Sequence, residues 1–161
     1  MTDIGCDSRG PEMHRSVGIG ECIGHHGEFL QGVFVDDGED AFEAITRFAE
    51  KNKIGGASLT AIGAFKTATL GFFDFTTKKY KEIPVDEQAE VLSAIGDIAV
   101  GDDGKASLHM HVVVGFEDGS TKGGHFIKGV VHPTLEVIIR ESAVGFRRKK
   151  REDIGIALID L

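Results

Sequence analysis

Ser107-Leu108-His109-Met110-His111-Val112-Val113-Val114-Gly115-Phe116, then Glu117-Asp118-Gly119-Ser120, then Gly123-Gly124-His125 running on to Val131, reads as a β-hairpin. Two β-rich runs flank a cluster of turn formers, the usual signature of two antiparallel strands. Side chains alternate faces along a strand, so His109 and His111 project from the same side. Whether His125 joins them depends on the loop. A three-residue loop Glu117-Asp118-Gly119, with Gly119 left-handed, sets His111 opposite His125 on one face. A two-residue loop Asp118-Gly119 sends His125 to the other face, unless a bulge at Gly123-Gly124 corrects it. Three imidazoles meeting at one point suit a divalent transition metal with an open coordination position. The alternative is a set of hydrogen-bonded histidines lining a pocket or an interface.

The same reading extends outward in both directions. Strands are expected over 27–35, 57–65, 67–75, 80–83, 90–100, 135–140 and 154–161, with a hairpin turn at Gly101-Asp102-Asp103-Gly104. One segment has helical spacing: Ala41, Phe42, Ile45, Phe48 and Ala49 form an apolar stripe over roughly residues 39–51, preceded by acids and stopped at Gly55-Gly56. One helix among many strands predicts an α+β fold, a curved and mostly antiparallel sheet with one main helix packed on it. The polar, Gly-rich residues 1–26 are expected to form a loosely ordered arm, and 27–161 a single domain.

Composition narrows the function classes. The 161 residues carry 18 Lys and Arg against 26 Asp and Glu, a formal net charge of -8. Such a chain gains nothing overall from a phosphate backbone, so nucleic-acid binding needs a local basic patch or a partner. Arg147, Arg148, Lys149, Lys150 and Arg151 are the one dense basic run, expected as a solvated loop and the candidate nucleic-acid contact. No apolar run reaches the ~18 residues of a membrane span, and no N-terminal signal pattern is visible. A cytoplasmic protein with no membrane partner is therefore expected. Cys6 and Cys22 have no CxxC spacing; they could pair, but two free thiols are expected in a reducing cytosol.

Several short motifs occur together in a fixed order. They are Gly38-Glu39-Asp40, Ile62-Gly63-Ala64, the run from Ala68 to Asp74, Glu90-Val91-Leu92-Ser93, Leu108-His109-Met110-His111, Gly123-Gly124-His125 and Glu136-Val137-Ile138-Ile139. In this order the chain resembles the plants-and-prokaryotes conserved (PPC) domain family, from about residue 28 to the C-terminus. The resemblance implies an α+β fold, a homotrimer and, in some prokaryotic members, a metal held by the histidines. The fold is also similar to that of acetolactate decarboxylase, a zinc enzyme with a His-x-His pair and a later His. Plant members carry AT-hooks ahead of the domain; Ser8-Arg9-Gly10-Pro11 lacks the second arginine and flanking basic residues of one. The plant segment that contacts transcription factors corresponds to Glu87-Gln88-Ala89-Glu90-Val91-Leu92, which keeps only the Glu and the apolar end.

These readings assign His109, His111 and His125 to a metal, zinc first because it accepts imidazole without a geometric preference. Glu90 and Glu136 interrupt apolar strands, where a carboxylate is costly unless paired. Each is a candidate partner behind a metal ligand or an acid/base group beside the metal, or else simply faces solvent. The favoured function is a homotrimeric, DNA-associated or regulatory domain without catalytic activity, associating with DNA or with a DNA-binding partner. The alternative is a zinc-dependent enzyme acting on a small carbonyl or carboxylate substrate.

Overall fold

The hairpin that opens the sequence argument closes through a three-residue loop. In a computed structural model describing residues 18–22 and 30–160, the Phe116 amide donates to the Ser120 carbonyl at 3.0 Å and the Gly119 amide to the Phe116 carbonyl at 2.9 Å. Gly119 has φ 79°, the left-handed conformation that this loop demands and that a side chain would strain. Strand pairing then follows: His111 lies opposite His125, Val112 opposite Gly124 and Val113 opposite Gly123.

The elements run β1 Gly18–Cys22, β2 Leu30–Asp36, α1 Ala41–Lys51, β3 Gly56–Asp74, β4 Lys79–Val85, β5 Ala89–Val100, β6 Ala106–Gly115, β7 Thr121–Glu141, β8 Arg147–Arg151 and β9 Ile156–Asp160. β3 pairs with both β5 and β7, and β6 also pairs with β5 and β7. The circuit β3–β5–β6–β7 is therefore a closed ring of hydrogen-bonded strands. β3 and β7 are 19 and 21 residues long. Register shifts after Ala61, Gly63, Phe65 and Thr69 let them bend around the core, as bulges do. β2 and β4 extend the sheet at β7 and β3, and β8 touches β5 through one parallel pair, which makes the sheet mixed.

This corrects the expected α+β class. Among the described residues 66% are strand and 8% helix, so the molecule is a mostly-β domain with one short helix. The physical reason is the closure. Inward residues such as Leu59, Phe65, Met110, Phe126 and Ile139 bury one another inside the ring. A helical layer is then not needed to cover the sheet. The eleven-residue α1 adds Ala41, Ala44, Ile45, Phe48 and Ala49 to that core. Its N-terminus is capped by Asp40, whose side chain accepts from the Glu43 amide at 3.0 Å. It ends at Lys51, as the spacing implied, with Asn52 as the cap and Gly55-Gly56 just beyond.

Further differences concern continuity. The segments 57–65 and 67–75 are one strand, as are 123–131 and 135–140, because bulges bend these strands without breaking their pairing. The basic run is strand β8, paired with β9, and not a loop. Of the expected arm, only 18–22 falls within the described residues, as β1 paired to β2; Cys6, Ser8-Arg9-Gly10-Pro11, His25 and His26 lie outside them.

Candidate metal centre

Leu108, Met110, Val112 and Val114 of β6 are buried, which turns His109 and His111 to the outer face. His125 reaches the same face from β7. Its backbone neighbour Gly124 permits the approach, since a Cβ there would stand 2.7 Å from the Gly71 carbonyl oxygen. The ring centroids are 5.2 Å apart for His109–His111, 5.2 Å for His109–His125 and 5.5 Å for His111–His125. One ring nitrogen from each lies within 4.8 Å of the others. Tyr80 of β4 stacks on His125 at 4.6 Å, closing one side of the cluster.

Burial acts directly on the donors. It lowers the His125 pKa to about 4, helped by the neighbouring charges of His109, His111 and Arg148. Partial desolvation of the otherwise exposed His111 ring, with the charge of His109 beside it, also lowers its pKa. Both rings are thus neutral near pH 7, the form that ligates metal. The Nδ1 of His125 is buried with no hydrogen-bond partner among the described residues. A buried polar atom without a partner is costly, and a cation shared by the three rings is a group that satisfies one. The donor set therefore fits a divalent transition metal.

A pH dependence follows for the metal-free protein. The unfolded chain takes up a proton on this residue near 6.5, the folded chain only near 4. Between these values the unfolded state binds more protons, so stability is full above pH 6.5 and falls as the pH drops toward 4. Because the ring is partly exposed, the loss is on the order of 1–2 kcal/mol. Urea unfolding at pH 7 and pH 4.5 measures it; His125→Gln should flatten the difference, and an equal slope in both proteins would remove His125 as its source.

The other candidate residues are placed differently. Glu90 is exposed and registered opposite Gly115, four residues along β6 from His111, or about 13 Å at strand rise. Glu136 is exposed between Phe34 and Ile62 on the neighbouring strands. Neither carboxylate joins the histidines. The carboxylate that does is Asp97 of β5, directly opposite His109, with Oδ2 3.7 Å from the His109 Nδ1. Within the basic run, Arg148 is turned inward to hydrogen-bond Asp97. The other four are exposed, and of these Lys150 pairs with Glu152 at 3.2 Å and Arg151 with Asp153 at 3.0 Å.

Fold and site together define a mostly-β domain carrying three imidazoles on its outer face. The chain belongs to the Plants and Prokaryotes Conserved (PCC) domain family, whose model matches residues 32–143. It is similar to the structure of a plant- and prokaryote-conserved protein from Pyrococcus horikoshii, at 29% identity and TM-score 0.76, covering 93% of this chain and 98% of that one. It is similar also to a metal-containing protein from Archaeoglobus fulgidus, at 28% identity and TM-score 0.75 over 92% and 100% of the two chains. A candidate DNA-binding protein from Bacteroides thetaiotaomicron aligns at 25% identity and TM-score 0.81, over 91% and 98%. Among curated proteins, the bifunctional protein GlmU of Synechococcus sp. (strain JA-3-3Ab) is 28% identical over 126 residues. That match takes in 77% of this chain but spans only 19% of the GlmU length. No helix among the described residues is long and apolar enough to cross a membrane.

Proposed function

We propose that this chain is a homotrimeric domain that binds a divalent transition metal, zinc first, and serves as a DNA-associated or regulatory module. The observation that carries the metal reading is the convergence of His109, His111 and His125 within 4.8 Å, with His125 held neutral by burial. The described likeness to a metal-containing protein supports it. Zinc supplies a Lewis-acidic centre when bound; the three histidines hold it, and Asp97 stands behind His109.

Self-association is supported by the outer face. Phe34, Ile62, Leu92, Ile95 and Ile138 are 44–59% exposed there, on adjacent strands of one sheet. A contiguous apolar face of this kind marks an interface. Ile95 is registered opposite His111, so a neighbouring chain on this face would lie alongside the metal site. DNA association has narrower support: the exposed cations Arg147 and Lys149 of the basic run, repeated around a trimer, and the names of relatives.

Elemental analysis of the protein as isolated should find about one divalent metal per chain. Light scattering should give three chains of 17.3 kDa, reduced to one by Leu92→Asp. Absence of metal together with a silent zinc titration would defeat the metal reading, and a wild-type monomer the trimer. Binding to duplex DNA at low salt should weaken with Arg147→Gln and Lys149→Gln; no binding at low salt removes the DNA part.

A second reading, a zinc-dependent enzyme acting on a small carbonyl or carboxylate substrate, has one observation in its favour. Three protein donors leave a fourth position open, as in catalytic zinc sites. Against it, among the described residues Glu90 and Glu136 stand apart from the histidines and the Asp97 carboxylate is engaged by Arg148, so none of these three is free to move a proton there.

A further inference from the structure

We propose that Arg148 and Asp97 are positioning residues for the metal site: the C-terminal hairpin β8–β9 reaches over and fixes the orientation of His109 through them. The inference rests on the metal reading above and names where part of the site's support comes from. Arg148 lies beyond residues 32–143, the span matched by the family model, so this chain supplies the support from a segment outside it.

One side chain of the hairpin is inverted into the molecule. β8 has the burial pattern exposed, buried, exposed, exposed, exposed, and Arg148 is the buried residue at 6% exposure. Burying a guanidinium costs several kcal/mol unless it is paired. Its partner is Asp97, whose Oδ1 accepts from the Arg148 Nη2. The same carboxylate turns its other oxygen to His109, 3.7 Å from Nδ1. Asp97 thus divides its two oxygens between a cation behind the site and an imidazole within it. The second contact is longer than a hydrogen bond and acts electrostatically.

Stability alone does not account for this pair. A buried ion pair is commonly matched or bettered by apolar side chains of the same size. Here the pair is also incompletely satisfied, because the Arg148 Nε is buried with no partner among the described residues. Orientation does account for it. A carboxylate facing Nδ1 holds the proton on that nitrogen and leaves Nε2 with the lone pair that a metal requires. Arg148 prevents the carboxylate from rotating away and keeps it from facing the histidines as an unbalanced charge.

The test uses Asp97→Asn, Arg148→Met and Arg148→Lys in the full chain. Two properties are read at one pH: zinc affinity by competition with a chromophoric chelator, and the His109 ring tautomer in metal-free protein by 15N NMR. In the parent, His109 should carry its proton on Nδ1. The asparagine amide, held by Arg148 through its oxygen, offers an N–H to Nδ1 and should shift the proton to Nε2. Asp97→Asn and Arg148→Met should each weaken zinc binding by about 10–100-fold, and Arg148→Lys should recover most of the loss. Unchanged affinity and an unchanged tautomer in Asp97→Asn overturn the proposal, even where Arg148→Met fails to fold. A parent that binds no zinc sinks the metal reading instead, and the tautomer comparison still decides whether Asp97 and Arg148 orient His109.

Discussion

Zinc affinity should fall by at least about 100-fold when any one of His109, His111 or His125 is replaced by alanine. Loss of a supporting group behind a ligand already weakens metal binding by roughly 10–100-fold, and loss of the ligand itself removes a coordinate bond. The three donors lie at nearly equal separations, with centroids 5.2–5.5 Å apart, so none is peripheral. The substitutions should differ in their effect on the metal-free protein. His111 is exposed, and His111→Ala should leave stability within about 0.5 kcal/mol of the parent. His125 is stacked on Tyr80 and packed beside Gly71, so His125→Ala removes contacts as well as a donor. Chelator competition measures the affinity and urea unfolding in a chelating buffer measures the stability. A variant that binds zinc as tightly as the parent removes its residue from the donor set.

The convergence of these histidines was legible as one of two outcomes, because turn chemistry fixes register and the sequence allows both a three-residue and a two-residue loop. Glu117-Asp118-Gly119 offers one glycine at the position needing a left-handed backbone, and the Asp118 side chain accepts from the Ser120 amide at 2.8 Å. With the loop length known, every cross-strand pair follows. The same reasoning was available at Gly101-Asp102-Asp103-Gly104. There the Gly101 amide donates to the Lys105 carbonyl at 2.9 Å and Gly104 has φ 79°. Counting back from that loop sets Asp97 opposite His109, so the carboxylate beside the site was within reach of sequence reasoning that stopped one hairpin early.

Other features were hidden for physical reasons. Glu90 and Glu136 stand in strands that look apolar throughout, a pattern that points to buried carboxylates. The outer face is itself apolar, with Ile62 and Ile138 more than half exposed, so apolar neighbours there do not signal burial. Arg148 was hidden by its surroundings: in a run of five cations no alternation of polarity distinguishes the one turned inward. Ring closure was invisible because it depends on β7 pairing with β3 and β6 together, a long-range property that no local window contains. That closure made the expected α+β class wrong, although the helix itself was found.

Phe126→Ala should destabilise the domain by about 3–5 kcal/mol, the range for emptying a buried aromatic site. Phe126 is fully buried, stacked on Phe65 at 5.4 Å between centroids and tilted against Phe42 of α1 at 6.4 Å. Deleting it opens the contact between helix and ring. At roughly 2–4 °C per kcal/mol for a domain of this size, the melting temperature should drop by about 6–20 °C. Phe126→Leu refills much of the volume and should lose markedly less. A loss below about 1 kcal/mol for the alanine variant would mean that the core relaxes around the cavity. The substitution also tests how the two faces of β7 are coupled. Phe126 points into the core one residue after His125 points out to the metal site, so a loosened Phe126 shifts the backbone that carries a donor. Zinc affinity measured on the folded variant should therefore weaken as well, although no ligand has been touched.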